Sequence, residues 1–132
     1  MAVVQHIGFN CIDRVKQEEF YTRHFGFERA RVFNRGQDNE FVMLRLGACC
    51  IELFGADEAE PQPSPGAQTV GFKHLAFEVD DLDAKVKEME AEGLEPGDII
   101  DCSGVVPGLR VCFLKDPEGN ILELMQGWQD ES

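Results

Sequence analysis

HIGFNCID (6–13) and HLAFEVDD (74–81) decide how this chain is read. The second octet follows the first by 68 residues, with His, Phe and Asp at the first, fourth and eighth places of both. The residues between them match in kind. A repeat at this spacing points to two copies of one supersecondary unit. The likeness continues downstream. Asp13 and Asp81 each precede a charged, helix-like stretch, and these run to Gly26-Phe27 and Gly93-Leu94. CIELF (50–54) then parallels ILELM (121–125) at an offset of 71. Each half therefore reads as strand, helix, then strands ending in a Glu-Leu step. The stretch 55–71, GADEAEPQPSPGAQTVG, is rich in Pro, Gly and small residues and reads as the linker between them.

Elements follow from periodicity. VVQHIGFNCI and FKHLAFEV are strand-like, as are 41–46, 48–54, 111–115 and 120–126. Leu82, Val86 and Met89 mark the inner face of a second-half helix, capped by Asp80 or Asp81 and ended by Gly93. The first-half helix spans about 14–25, with Phe20, Tyr21 and Phe25 as its core contacts. His24, at its end, reads as a surface or C-terminal capping residue, and KDPEGN (115–120) as a tight reversal.

Strand phase separates structure from chemistry. Ile7, Phe9 and Cys11 share one face, while His6 shares the other with Gly8 and Asn10. Leu75, Phe77 and Val79 repeat the apolar face, and His74 lies in phase with Ala76 and Glu78. Small neighbours leave room in front of each imidazole. Glu52 lies in phase with Cys50 and Phe54, and Glu123 with Ile121 and Met125. A carboxylate between apolar neighbours is costly to bury without a cation or donors. Any one of these residues, alone, is more often structural than a ligand. Two of the chain's three histidines at equivalent places, with two equivalent glutamates, change that balance. Two imidazole nitrogens and two carboxylates on a pseudo-twofold axis suit one divalent transition metal.

Composition sets outer bounds. With 132 residues, 43% hydrophobic and 28% charged, the chain is an ordinary globular domain that needs no disulfide staple. Twelve basic against 25 acidic residues give a net charge of −13, which disfavours nucleic acid as a partner. No apolar run reaches the ~18 residues of a membrane span, and the N-terminus lacks the pattern of a signal peptide. The odd count of five cysteines fits reduced thiols and a cytoplasmic location.

HIGFNCID, FYTRHFGF, IELF, HLAFEVDDLDA and FLKDPEGNILELMQ together resemble the vicinal oxygen chelate superfamily, which includes glyoxalase I, bleomycin-resistance proteins and extradiol dioxygenases. The resemblance covers essentially the whole chain. It implies an α+β fold of two tandem βαβββ modules whose sheets curl around a central metal-site cavity. Residues 1–132 would form a single glyoxalase-like domain, with module one at about 1–54 and module two at about 72–126. It implies the ligand set His6, Glu52, His74 and Glu123, most similar to short bacterial glyoxalase I enzymes, which favour nickel or cobalt; zinc, iron or manganese are the other ions expected. It also implies a small-molecule substrate and a homodimer.

The activity implied is that of a metal-dependent lyase or isomerase, transferring a proton next to a carbonyl. Glu123 is the first choice of base and Glu52 the second. The alternatives are an acyl-CoA epimerase like methylmalonyl-CoA epimerase and a resistance-type protein that sequesters a small molecule. Asn10, Arg14, Arg35, Arg45 and Arg110 are the candidates for substrate binding. Glyoxalase I uses an arginine four residues past the first histidine to hold the glutathione carboxylate, and an asparagine four past the first glutamate. Here those positions are Asn10 and Ala56.

Overall fold

A computed structural model provides the fold, and residues 1–59, 68 and 70–131 are described. The chain forms two compact units, Met1–Pro61 and Gln62–Ser132. The first contains β1 (His6–Cys11), α1 (Arg14–Phe25), β2 (Glu28–Phe33), β3 (Phe41–Leu46) and β4 (Cys49–Gly55). The second contains β5 (Leu75–Glu78), α2 (Leu82–Ala91), β6 (Ile100–Asp101), β7 (Arg110–Lys115) and β8 (Ile121–Gln126). Each unit is thus a βαβββ module with one four-stranded sheet, ordered β1-β4-β3-β2 in the first and β5-β8-β7-β6 in the second. The mixed α+β class that the resemblance implies is what the chain adopts. Most of the expected linker, residues 60–67 and 69, lies outside the described residues.

The first and last strands of each module pair in parallel, β1 with β4 and β5 with β8. A parallel pair needs a crossover between its strands, and α1 or α2 begins that crossover. Capping sets where each helix starts. Asp13 Oδ1 accepts the Lys16 N–H at 3.0 Å, and Asp81 Oδ1 accepts the Ala84 N–H at 3.0 Å. Of the two aspartates named for α2, Asp81 is the cap. Gly26, at φ 77°, closes α1, and its N–H reaches the Thr22 carbonyl.

In unit one, Phe20 and Tyr21 of α1 are buried, as are Val42, Leu44, Ile51 and Leu53 of β3 and β4, the strands that α1 contacts. The Phe9 ring meets Tyr21 edge-on at 5.9 Å, so the apolar face of β1 is the one turned to the helix. In unit two, Leu82, Val86 and Met89 are buried together with Cys112, Leu114, Leu122 and Leu124. His24 departs from the surface reading. It is buried at 8% exposure, with its ring 5.0 Å from that of Phe20. Its place one turn after Phe20 puts it on the same helix face. Phe25 is only half-buried.

Two strands were not placed by periodicity. β2 is ERARVF, largely exposed, with a bulge between Arg29 and Arg31. β6 has two residues. Both are sheet edges, where a charged face and a bulge discourage further pairing and blur the alternation.

Candidate metal centre

The parallel strand pairs bring one histidine and one glutamate together in each unit. Gly8 lies beside Glu52 in the β1–β4 register, and Ala76 lies beside Glu123 in the β5–β8 register. His6 and His74 each sit two residues earlier on the same strand face, His74 immediately before β5. Because the intervening residue is Gly or Ala, no bulky side chain separates imidazole from carboxylate. His6 Nε2 is 3.8 Å from Glu52 Oε2, and His74 Nε2 is 2.9 Å from Glu123 Oε2. The histidines are the more exposed partners, at 44% and 29%, against 13% for Glu52 and 15% for Glu123.

Two donors bound to one ion at ~2.1 Å each are at most ~4.2 Å apart. Both His–Glu separations lie within that limit, and the nitrogen–oxygen donor set suits a divalent transition metal. Among the described residues no three His, Cys, Asp or Glu side chains gather into one group that could hold a metal ion; each unit by itself shows one His–Glu pair.

The surroundings of the two pairs differ. In unit one, Gln5 lies against His6, its side-chain oxygen 2.5 Å from His6 Nδ1. Phe33, Phe41 and Phe54 form a stack across β2, β3 and β4, with centroids 4.4 Å apart at each step. This stack reaches Gly8, where an added Cβ would meet the Phe54 ring at 3.6 Å. In unit two, the His74 ring has the edge of Phe113 at 5.8 Å. Neither Gln5 nor the phenylalanine stack stood out in the sequence. The amide at position 5, next to a histidine, was the available signal for the first. The second depends on strand register, which pairs Phe33 with Phe41.

The residues expected to hold substrate are dispersed. Asn10 is exposed on the His6 face, opposite Phe54 in the register. Arg14, at the start of α1, lies 3.6 Å from Glu40. Arg35 is exposed between β2 and β3, and Arg45 is exposed on β3. Arg110 is engaged by a bidentate pair with Asp83 of α2, at 2.7 and 2.9 Å. The Arg110 hydrogen bond holds the Asp83 carboxyl below its ordinary range, and Asp83 raises the guanidinium in turn.

Comparison with known proteins bears on the family and the fold. The sequence model of the Glyoxalase/Bleomycin resistance protein/Dioxygenase superfamily matches residues 3–124. The chain is 34% identical to the uncharacterized protein YwkD of Bacillus subtilis, over 93% of this chain and 95% of that one. It is 28% identical to a probable lactoylglutathione lyase of Vibrio parahaemolyticus, over 96% and 91% of the two chains. A glyoxalase family protein from Enterococcus faecalis has a similar structure, with a TM-score of 0.76, 27% identity and coverage of 93% and 96%. The fold is also that of a fosfomycin resistance protein from Listeria monocytogenes, whose E126Q mutant was crystallised with Mn(II) and a dihydroxypropylphosphonic acid. That likeness has a TM-score of 0.75 at 17% identity, over 97% and 94% of the two chains. Two βαβββ units, a repeated His–Glu pair and a match across nearly the whole sequence place this chain in the Glyoxalase/Bleomycin resistance protein/Dioxygenase superfamily.

Proposed function

We propose that this protein is a metal-dependent lyase or isomerase of the glyoxalase I type, moving a proton next to a carbonyl in a small molecule. The observation that carries this reading is the repeated pair, His6 with Glu52 and His74 with Glu123, each beside a small residue. His6, Glu52, His74 and Glu123 are the residues that would hold a divalent ion, nickel or cobalt before zinc, iron or manganese. Such an ion would supply Lewis acidity towards negative charge at the substrate carbonyl oxygen.

The protein's own groups do the rest. Glu123 is the base. Its carboxylate is 15% exposed, shielded enough to exclude most water yet open to substrate. Its Oε2 lies 2.9 Å from His74 Nε2. A carboxylate at this place accepts a proton from the carbon beside the carbonyl and returns it to that carbon or its neighbour. Glu52 is the second choice. We take the working form to be a cytoplasmic homodimer. No helix among the described residues is long and apolar enough to cross a membrane.

The test is turnover of α-oxoaldehyde adducts and acyl-CoA esters by metal-loaded protein. Glu123→Gln keeps an oxygen donor but loses the proton acceptor, so turnover should fall by about 100-fold or more. Glu52→Gln should cost less. Full activity in Glu123→Gln would remove Glu123 as base. Turnover of acyl-CoA esters alone would favour the epimerase. Tight binding of small molecules without turnover would favour sequestration.

A further inference from the structure

The two half-sites are equivalent in sequence but not in what surrounds their histidines. We propose that Gln5 is a positioning residue for His6: its side-chain oxygen accepts the Nδ1–H and so holds the imidazole in the tautomer whose Nε2 lone pair is free for a divalent ion. This inference rests on the metal reading above.

The direction of the hydrogen bond follows from the far end of the Gln5 amide. Its Nε2 lies 3.7 Å from Met43 Sδ and 3.8 Å from Cys50 Sγ. A thioether sulfur accepts and never donates, so the NH2 end belongs there. The oxygen end then faces His6, with Oε1 2.5 Å from Nδ1. An amide oxygen has no hydrogen to give, so Nδ1 carries the proton. A neutral imidazole has a single N–H, which leaves Nε2 bare on the side of Glu52.

Backbone pairing holds Gln5 in place. Its carbonyl accepts the Cys50 N–H at 2.7 Å, extending the β1–β4 ladder one residue before β1 begins. The side chain thus reaches over the rung that carries Cys50 and on to Met43, the β3 partner of Glu52.

Unit two lacks this arrangement. Lys73 precedes His74, and an ammonium offers no acceptor. The positions matching Met43 and Cys50 in the register around the glutamate are Phe113 and Ile121, which have no sulfur. Instead His74 Nε2 is within hydrogen-bond distance of Glu123 Oε2, at 2.9 Å. His6 is already in the ligating form. An outer hydrogen bond of this kind typically contributes 10- to 100-fold in metal affinity.

Two measurements on the full chain test this. Long-range proton–nitrogen correlation on 15N-labelled, metal-free protein reads the tautomer of each histidine, with His6→Ala identifying the His6 signals. Wild type and Gln5→Glu should show His6 with Nδ1–H, and Gln5→Leu should show a mixture. Zinc titration of the same proteins should find Gln5→Leu weaker by about 10- to 100-fold, with Gln5→Glu restored to wild-type affinity or above it. His6 with Nε2–H in the metal-free wild type would overturn the proposal, and that result needs no variant. So would Gln5→Leu, shown folded by circular dichroism, with wild-type zinc affinity. A Gln5-dependent tautomer in wild-type protein that takes up no zinc would contradict the metal reading while upholding the Gln5–His6 contact, so the two failures are distinct.

Discussion

At the residue scale, the informative contrast is between groups of one type in different surroundings. The four residues selected by strand phase fall into two close His–Glu pairs, because the period-2 rule and a repeated small residue were enough to find them. The arginines were harder to read, since sequence shows that a cation is present but not what already faces it. Arg110 is held by Asp83 and Arg14 lies by Glu40, contacts between residues far apart in the chain. The cysteines make a similar point. No disulfide joins them; Cys11, Cys50 and Cys112 are buried and Cys49 and Cys102 half-buried. Burial, with Asp98 and Glu90 nearby, pushes the Cys112 thiol up, so less of it is thiolate at neutral pH. Alkylation with iodoacetamide at pH 7.5, followed by peptide mass mapping, should therefore modify Cys49 and Cys102 first. Cys112 should react only after unfolding. Rapid modification of Cys112 in the folded protein would contradict its placement.

At the scale of elements, the central strands and both helices were legible and the edge strands were not. Leu82, Val86 and Met89 stand at helical spacing with one apolar side, which is what a helix packed on a sheet requires. β2 and β6 carry no such signal, because an edge strand with solvent on its side chains has little reason to alternate. The KDPEGN reversal was legible through Pro, Gly and Asn, but its organiser is Asp116. That side chain is buried and accepts from the Glu118 and Asn120 N–H groups and from Asn120 Nδ2. The junction of α2 and β8 is the place to test the packing. Leu82 is fully buried, and its N–H donates to Gln126 Oε1 at 2.8 Å. Leu82→Ala keeps that backbone bond and removes the buried side chain, so it should cost about 2–5 kcal/mol. Urea unfolding measures the loss. A change below about 0.5 kcal/mol would mean that the α2 face is not a core.

At the scale of the whole molecule, duplication carries the argument. Within one half of this sequence, a strand histidine and a strand glutamate have no special standing among the other His and Glu residues. The second copy repeats both at equivalent places. It also separates what the superfamily supplies from what this chain supplies. The net charge of −13 gives an anionic substrate no general attraction, so a local clamp has to hold it. Asn10 and Ala56 stand where glyoxalase I, by resemblance, has an arginine and an asparagine for glutathione. Losing a clamp on a buried carboxylate costs about 2–5 kcal/mol, or roughly one to four decades in specificity. Steady-state kinetics with the methylglyoxal–glutathione hemithioacetal should therefore give weak activity at best. Asn10→Arg should raise it, and a kcat/KM near the diffusional ceiling in the unaltered protein would refute the clamp argument.

We propose His6, Glu52, His74 and Glu123 as the ligands of a divalent ion, and metal stoichiometry is the test. Protein stripped of metal is titrated with nickel, cobalt and zinc by calorimetry, with bound metal confirmed by elemental analysis. About one tightly held ion per chain is expected, lost on either His6→Ala or His74→Ala while the circular dichroism spectrum is retained. Two ions per chain, or tight binding that survives loss of one histidine, would mean that each His–Glu pair acts alone. No binding of any of the three ions would contradict the account outright.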